Sequence, residues 1–414
     1  MRKTLRLILA AAASAVAANA ALAADPIRIA FIDPLSGPFA STGTNGLHQT
    51  QWAADFMVNQ KGGLLGGRML EIVPFDNKTS PQESLVQLQV AIDQGIRIVM
   101  QGNSSGVANA ITEAVDKHNR RNEDSRVLYL NYSAVDPALT NDKCNFWHFR
   151  FDAHADIKMD ALTDIIAQNQ DIKKIYVIGQ DYSFGKAVAE AAQSMLAAKR
   201  PDIEIVGNEL HPIGKVKDFT PYARKIISSG ADAVITGNWG SDMLGLGKAI
   251  LDAGFKGPIY TYYAAADGIT AAFGAQGKGS LRLVSEGQVN PFPTPEARAF
   301  TEGFLAKYPD GNVSQPRIAN TIQMLAMAIE KAGTADDVVA VAKALEDMRA
   351  DSIWGTEMHM RPQDHQLIQD VHIMVHTDEN VDHDYDKSGF GIVVESTVPM
   401  ASADIATTCE MKRP

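Results

Sequence analysis

Short apolar runs alternate with amphipathic segments along most of the chain. The runs are rich in Val, Ile and Tyr and lack strict polar alternation, which is typical of strands covered on both faces. The segments between them carry helix signals, such as Ser80 and Pro81 at the start of one segment and Gly95 at its end. The predicted strands are 27–33, 69–76, 96–102, 127–133, 174–180, 203–210, 232–238 and 258–264.

The alternation of strands and helices is interrupted twice. The first interruption, 144–156, is rich in aromatic residues, and the second, 283–297, contains three prolines. Each uninterrupted set predicts a doubly wound, parallel α/β sheet. A chain of 414 residues is also too long for one ordinary core, so we expect two domains.

The N-terminus has the pattern of a signal peptide. Basic residues at 2, 3 and 6 precede an apolar run over 7–20 and a small-residue site over 21–23. We expect export to a bacterial periplasm, with cleavage after Ala23. A membrane anchor is the alternative, but the apolar run is short for a span.

The net charge argues against some classes of binding partner, and the two cysteines predict a disulfide. A net charge of −11, which becomes more negative without the basic N-terminus, argues against nucleic acid and anionic lipid. Cys144 and Cys409 are the two cysteines, and in an oxidising compartment they predict one disulfide. Two unrelated buried thiols are the alternative. The sequence has no CxxC motif or Cys/His cluster, so we do not expect a structural zinc site. We also expect no other metal and no cofactor.

One short motif allows two interpretations. Gly102-Asn103-Ser104-Ser105-Gly106 fits G-x-S-x-G between an apolar run and a helix-like run, where a hydrolase places its nucleophile. That hypothesis also needs an oxyanion loop, yet the sequence contains no His-Gly pair. The same turn forms an anion cradle from serine hydroxyls and free N–H groups at a helix N-terminus, which we favour. A serine that only caps the helix is a further alternative.

At this point the chain resembles the Leu/Ile/Val-binding (branched-chain amino acid) type of periplasmic substrate-binding protein, which serves ABC importers. The resemblance runs from Ile27 to about Asp378. It is carried by "IAFIDPLSGPFASTGTNGLHQTQWAADFMVNQKGGLLGGRMLEIVPFDNKTSPQESL" and continues through "SSGVANA", "DYSFGKAV", "KDFTPYARKI" and "ADAVITGN". It implies a type I, Venus-flytrap fold, with two doubly wound lobes, a three-stranded hinge and ligand in the cleft between them.

Together, the interruptions and the resemblance give domain boundaries. Lobe 1 is predicted over 24–149 and 288–355, and lobe 2 over 150–287 and 356–414, including a C-terminal extension. The third crossover is expected near Trp354–Arg361.

The resemblance also implies a set of ligand contacts. Ser105 matches the serine that binds the ligand carboxylate, with Ser104 beside it. The following strand end and the first helix contribute to the same wall, and the facing lobe contributes mainly aromatic side chains. Ordinary lobe packing is the alternative role for the aromatic residues. The remaining predicted contacts are Ser133, Ala134, Val135, Thr42, Tyr182, Phe184, Asn238, Trp239 and Tyr263.

Two departures from the family pattern concern the ligand. Tyr263 stands where the family places an acid for an amino group, and Val135 stands where it often has a threonine. The sequence therefore favours an aromatic or other amino-free carboxylic acid over a branched-chain amino acid, although Asp267 or Glu286 can restore amino-acid binding if either reaches the cleft. We expect a monomeric binding protein with a permease partner and no enzymatic activity. A sensory ligand-binding module and, more weakly, a serine hydrolase are the alternatives.

Overall fold

The computed structural model describes residues 25–265 and 268–414. The signal peptide predicted for 1–23 and the candidate acid Asp267 lie outside the described residues. The helices are α1 Ala40–Met57, α2 Pro81–Asp93, α3 Ser105–Asn119, α4 Ala155–Gln168, α5 Ser183–Lys199, α6 Thr220–Ser228, α7 Gly240–Asp252, α8 Ile269–Phe273, α9 Pro295–Lys307, α10 Arg317–Ala332, α11 Val338–Leu345 and α12 Met400–Ala403.

The strands form two large sheets and one small sheet. They are β1 Ile27–Asp33, β2 Leu70–Asp76, β3 Ile98–Gln101, β4 Leu128–Asn131, β5 His148–Arg150, β6 Lys174–Gln180, β7 Glu204–His211, β8 Ala233–Thr236, β9 Ile259–Thr261, β10 Leu281–Ser285, β11 Arg349–Asp351, β12 Glu357–Met360, β13 Leu367–Gln369, β14 Val371–Thr377 and β15 Gly391–Val398.

The first sheet is parallel throughout, in the order β2-β1-β3-β4-β5. The second has the order β15-β14-β10-β9-β8-β6-β7, with β14 and β15 antiparallel to their neighbours. Each of the eight predicted strands overlaps an observed strand. β5 lies within the first predicted interruption and β10 overlaps the start of the second, and each is the last strand before the chain changes lobe. The predicted two-lobed α/β architecture is confirmed.

The buried apolar residues in the described part of the chain form one core in lobe 1 and two in lobe 2, and three crossovers connect the lobe 1 core with one of the latter. Phe151 packs in the lobe 1 core and Ala153 in that lobe 2 core, and the chain returns between Val284 and Val289. These crossings lie close to the predicted boundaries. The third occurs between Leu367 and Ile368, later than the predicted boundary at 355/356.

The packing of the small sheet explains why the third crossover comes later than predicted. The small sheet β11-β12-β13 places Met358, Met360 and Leu367 in the core of lobe 1, where they are almost fully buried. Residues 356–367 therefore belong to lobe 1, and the interpretation that assigned them to lobe 2 is corrected.

The C-terminal tail crosses the cleft a further time. Ala403 and Ile405 pack in lobe 2, but Cys409 forms a disulfide with Cys144 of lobe 1, with a Cα–Cα distance of 5.8 Å. Arg413 Nη2 then lies 2.9 Å from the Glu346 carboxylate, also in lobe 1. The extension was predicted to belong wholly to lobe 2, and its last residues instead attach to lobe 1. In the described ranges, no helix combines the length and the apolar character that crossing a membrane needs.

Candidate ligand-binding site

A cleft between the lobes opens at the carboxyl ends of the parallel strands, where doubly wound sheets bind ligands. Its lining comes from the turns after β3 and β4, from the starts of α5, α7 and α10, and from the ends of β9 and β10. The lining residues are Thr42, Gly102, Asn103, Ser104, Ser105, Ser133, Ala134, Val135, Tyr182, Phe184, Trp239, Gly240, Tyr262, Tyr263, Ala264, Ala265, Ile269, Leu283, Val284, Ser285, Ser314, Gln315 and Arg317.

The loop before α3 is fixed from below by Asp33, at the end of β1. The buried Asp33 carboxylate accepts hydrogen bonds from Gly102 N–H at 3.2 Å, Asn103 N–H at 2.9 Å and the Tyr132 hydroxyl at 2.5 Å. Burial raises the pKa of Asp33 to about 7, against the lowering effect of these hydrogen bonds. A Cβ at Gly102 would lie 2.6 Å from the Tyr132 ring, so this position requires glycine. The first glycine of the motif thus serves packing.

The two serines of this loop have different roles. Ser104 has φ of +79°, a strained conformation for a non-glycine residue, and its side chain does not cap α3. Ser105 begins the helix, and its Oγ accepts the Asp136 N–H at 3.2 Å. Because that oxygen already accepts a hydrogen bond, its proton is oriented for donation to another acceptor. The loop therefore offers a hydroxyl donor beside the unpaired N–H groups of a helix N-terminus.

The turn after β4 completes this wall. The N–H groups of Ser133 and Ala134 both donate to Asn131 Oδ1, at 3.1 and 2.7 Å. Among the described hydrogen bonds, this leaves the Val135 N–H as the backbone donor of the turn that a ligand can use. Thr42 lies at the rim on α1, where its Oγ1 would be 3.2 Å from a Cβ at Gly240 of the other lobe.

The wall of lobe 2 is aromatic. Tyr182 and Trp239 occupy the positions that immediately precede α5 and α7, and Trp239 Nε1 donates to the Tyr182 hydroxyl at 2.8 Å. Phe184 lies edge-on to Tyr262, with ring centroids 5.3 Å apart, and 6.0 Å from Tyr263. Flat apolar surface of this kind suits a ring or another apolar ligand body.

Phe39 of lobe 1 holds the two walls together. Its ring stacks on Trp239 with centroids 4.1 Å apart, and Phe39 is only 3% exposed. Room for the ring depends on two glycines of lobe 2, since a Cβ at Gly214 or Gly240 would lie 2.8 or 2.9 Å from it. The structure therefore shows the cleft closed.

One predicted contact does not reach the cleft wall. Asn238 is completely buried and makes a hydrogen bond with His211 Nε2, which either donates to Oδ1 at 3.0 Å or accepts from Nδ2 at 2.9 Å, depending on the histidine tautomer. Its assignment as a ligand contact is corrected, because the chain alternates sides as it leaves β8 and the asparagine points inward. The other predicted contacts all line the cleft.

Four charged side chains lie buried beneath the cleft, and we call them the charge quartet: Asp152, Lys158, Glu286 and Arg317. Lys158 Nζ lies 2.6 Å from Asp152 Oδ1 and 2.5 Å from Glu286 Oε1. Glu286 is fully buried in this quartet and does not line the cleft. Although burial alone raises the pKa of Glu286, Lys158 brings it down to about 2.

Tyr263 joins the quartet to the cleft. Its hydroxyl lies 2.8 Å from Asp152 Oδ2 and 3.2 Å from the carbonyl oxygen of Ser133 in the opposite lobe. Sequence reasoning identified Tyr263 as the replacement for an acid. It missed Arg317 and the quartet, because no local pattern connects residues from four separate segments of the chain.

Comparison with known proteins places these features in a family. A sequence model described as periplasmic binding protein matches residues 26–380. The chain belongs to the periplasmic binding protein family. It is 33% identical, over 98% of its length and 97% of the relative, to Leu/Ile/Val-binding protein homolog 4 of Brucella melitensis. The resemblance to Leu/Ile/Val-binding proteins is thus confirmed.

Solved structures agree with this assignment. The leucine-, isoleucine-, valine-, threonine- and alanine-binding protein of Brucella ovis, in its closed conformation, superposes with a TM-score of 0.81 at 30% identity, covering 94% of this chain and all of that one. A solute-binding protein of an R. palustris ABC transporter in complex with benzoate has a TM-score of 0.75 at 19% identity, covering 93% and 99% of the two chains. At that identity the likeness concerns the fold alone.

Proposed function

We propose that this protein is the periplasmic solute-binding component of an ABC importer, and that it captures an aromatic or other amino-free carboxylic acid by closure of its two lobes. It would deliver that acid to a membrane permease as a monomer, after export and cleavage behind Ala23. The observation that carries the ligand class is that the described residues lining the cleft include no carboxylate, and that Asp152 and Glu286 beneath it are already paired within the charge quartet.

The polar wall supports a carboxylate ligand. Ser105 offers a hydroxyl proton, Val135 offers an N–H, and the first turn of α3 adds partial positive charge. Hydrogen bonds to a charged group are stronger than those between neutral groups. The negative end of a ligand is therefore placed against lobe 1.

The same region disfavours a ligand ammonium group. An ammonium enclosed in a closed cleft needs an acceptor, because an unpaired buried charge costs several kcal/mol. Asp152 and Glu286 both pair with Lys158, and Asp152 also receives the Tyr263 hydroxyl. A ligand ammonium would have to displace a cation of the protein from these carboxylates.

The aromatic wall supports a flat apolar ligand body. Phe184, Trp239 and Tyr263 present rings to the cleft, and each ring contact adds about 0.5–1.5 kcal/mol beyond area burial. The R. palustris protein with benzoate demonstrates that the fold accommodates such an acid.

The names of the Brucella proteins favour a second candidate, a branched-chain amino acid. Hydrolysis has less support. Within the described ranges, the residues lining the cleft include no histidine that would act as base for Ser104.

Isothermal titration of the purified protein decides between the ligand classes. The panel is benzoate, 4-hydroxybenzoate and cinnamate beside leucine, isoleucine and valine. We expect tight binding of at least one aromatic acid and none of the three amino acids. Tight binding of an amino acid with no binding of the aromatic acids would overturn the ligand class and leave the transport role intact.

Two control experiments test whether the measured binding heat comes from the cleft and whether binding closes it. Ser105→Ala should weaken the signal, whereas Ser228→Ala, on the exposed end of α6, should not. Small-angle scattering should show a smaller radius with the bound acid than without it. An unchanged radius with a tight ligand would contradict capture by closure.

A further inference from the structure

Arg317 is the member of the charge quartet that lines the cleft. It begins α10 in lobe 1, and its Nε lies 3.1 Å from Asp152 Oδ2 while Nη1 lies 3.7 Å from Glu286 Oε2. The side chains of Asp152, Lys158 and Glu286 have no exposed area, and that of Arg317 is 5% exposed. The quartet thus holds one cation at the floor of the ligand space.

One end of the Arg317 guanidinium faces the serine-containing turns of lobe 1. Arg317 Nη2 donates to Ser133 Oγ at 2.7 Å and to Gln315 Oε1 at 3.2 Å. Ser133 lies in the turn whose Asp136 N–H donates to Ser105 Oγ. The guanidinium therefore adjoins the donors proposed to hold a ligand carboxylate.

The guanidinium is also fixed in orientation. Its carbon lies 5.3 Å from the centroid of the Tyr263 ring, and the Tyr263 hydroxyl is anchored on Asp152. An arginine has five N–H donors in a planar fork. The contacts with Asp152, Glu286, Ser133 and Gln315 do not use all of them, so the guanidinium can also contact a ligand carboxylate. A fixed cation pays little ordering entropy when an anion arrives.

The charge balance favours an added anion. Two cations and two carboxylates make the quartet neutral when all four are ionised. Burial raises the pKa of Asp152, against the attraction of Arg317 and Lys158, which weakens the negative charge opposite Arg317. Arg317 is the charged residue among the described lining residues, so an entering anion meets a cation there and an entering cation meets no carboxylate.

We infer that Arg317 sets the charge selectivity of the cleft: its guanidinium is the counter-charge of the ligand carboxylate, and Asp152, Lys158 and Glu286 hold it in place. This inference rests on the proposed function and adds the residue that makes an anion the preferred ligand. It assigns the three other quartet members a positioning role.

The test compares an anion with a neutral molecule of the same shape. Calorimetry measures the affinity ratio of benzoate to benzamide for the wild type, Arg317→Gln and Arg317→Lys. We expect Arg317→Gln to lower this ratio about tenfold to 150-fold, the loss expected for one charge-assisted hydrogen bond, and Arg317→Lys to lower it less. Equal losses for both ligands would show that Arg317 only supports the fold and would overturn the inference.

A charge-matched double variant serves as the control for effects of the substitution on folding. Arg317→Gln leaves two buried carboxylates with one cation, which destabilises the lobe junction. The double variant Asp152→Asn with Arg317→Gln removes one charge of each sign, and the same drop in the ratio is expected from it. An unchanged ratio in the folded double variant would contradict the inference. Arg298→Gln, a half-exposed arginine of α9, should leave the ratio unaltered.

Failure of the ligand class is distinguishable from failure of this inference. If leucine binds and benzoate does not, the ligand class is wrong, and the ratio of leucine to leucinamide then decides the role of Arg317 by the same criterion. If another aromatic acid of the panel binds in place of benzoate, that acid and its amide form the test pair; if no acid and no amino acid of the panel binds, the proposed ligand classes fall and the inference falls with them.

Discussion

The two walls of the cleft have the same backbone plan and opposite chemistry. Each is built where parallel strands end and helices begin. In lobe 1 the turn exposes Ser105, and the buried Asp33 and Asn131 fix the loops behind it. In lobe 2 the corresponding positions carry the large rings of Tyr182 and Trp239. One fold thus supplies hydrogen-bond donors on one side and apolar area on the other.

This difference separates two kinds of recognition. Under the proposed function, the lobe 1 wall would discriminate by charge, because buried side chains hold its hydrogen-bond donors in place for an anion. The lobe 2 wall would discriminate by shape, because its rings offer apolar area without a complementary charge.

Removing the disulfide should have the largest effect on the free energy of unfolding and should leave both walls of the cleft unchanged. Cys144 and Cys409 are 265 residues apart in sequence, so the bridge restricts a very long loop in the unfolded chain. In the loop-entropy model its loss costs about 5–6 kcal/mol as an upper value. We expect Cys144→Ser with Cys409→Ser to lower the free energy of unfolding and to leave ligand affinity within about twofold. Two free thiols in the native, unreduced protein, detected by mass spectrometry, would refute the bridge.

Trp239→Ala should be the most damaging change in the aromatic wall. It removes a cleft-facing ring and also the surface on which Phe39 stacks. We expect about 3 kcal/mol of lost binding free energy, or more than 100-fold in affinity. Trp239→Phe, which keeps a ring, should recover most of the loss in the same titration. Equal affinities of the alanine variant and the wild type would show that the wall only packs the lobes.

Ser105→Ala tests the polar wall. Loss of one hydrogen bond to a charged ligand costs about 1.5–3 kcal/mol, which is roughly 10-fold to 150-fold in affinity. Ser104→Ala is the matched change one residue earlier, and a smaller effect is expected because the Ser105 hydroxyl is the one oriented by the Asp136 N–H. Wild-type affinity in both variants would contradict the cradle.

Phe39→Ala should have the smallest effect, because Phe39 does not line the cleft. It stabilises the closed state by stacking on Trp239, so its loss shifts the population toward the open state. A single aromatic pair contributes about 1 kcal/mol, or about fivefold in affinity. Scattering should show that a higher ligand concentration is needed for compaction. An affinity loss as large as that of Trp239→Ala would mean that Phe39 contacts the ligand itself.

Local patterns were sufficient for the strands and for much of the cleft. The apolar runs predicted the strands because a parallel strand is buried on both faces and its composition shows it. The serine turn was identifiable because a turn between strand and helix is local in sequence, whereas Trp239 was assigned from the family resemblance. The first and second crossovers also left a local signal, in aromatic residues and prolines.

The remaining features depend on contacts between distant segments. Arg317 meets Asp152 and Glu286 only after the lobes assemble. The third crossover was misplaced because the apolar residues of β12 pack on lobe 1, a choice that their own sequence does not encode. Asn238 was misassigned because one residue of alternation decides whether a side chain faces the cleft or the core.

A crystal structure with the tightest acid of the titration panel tests the central claim most directly. The account predicts that the ligand carboxylate lies within hydrogen-bond distance of Ser105 Oγ and that the ligand body contacts Phe184 and Trp239. A ligand in the reverse orientation, with its carboxylate at the aromatic wall, would contradict it. So would a ligand ammonium group paired with Asp152 or Glu286.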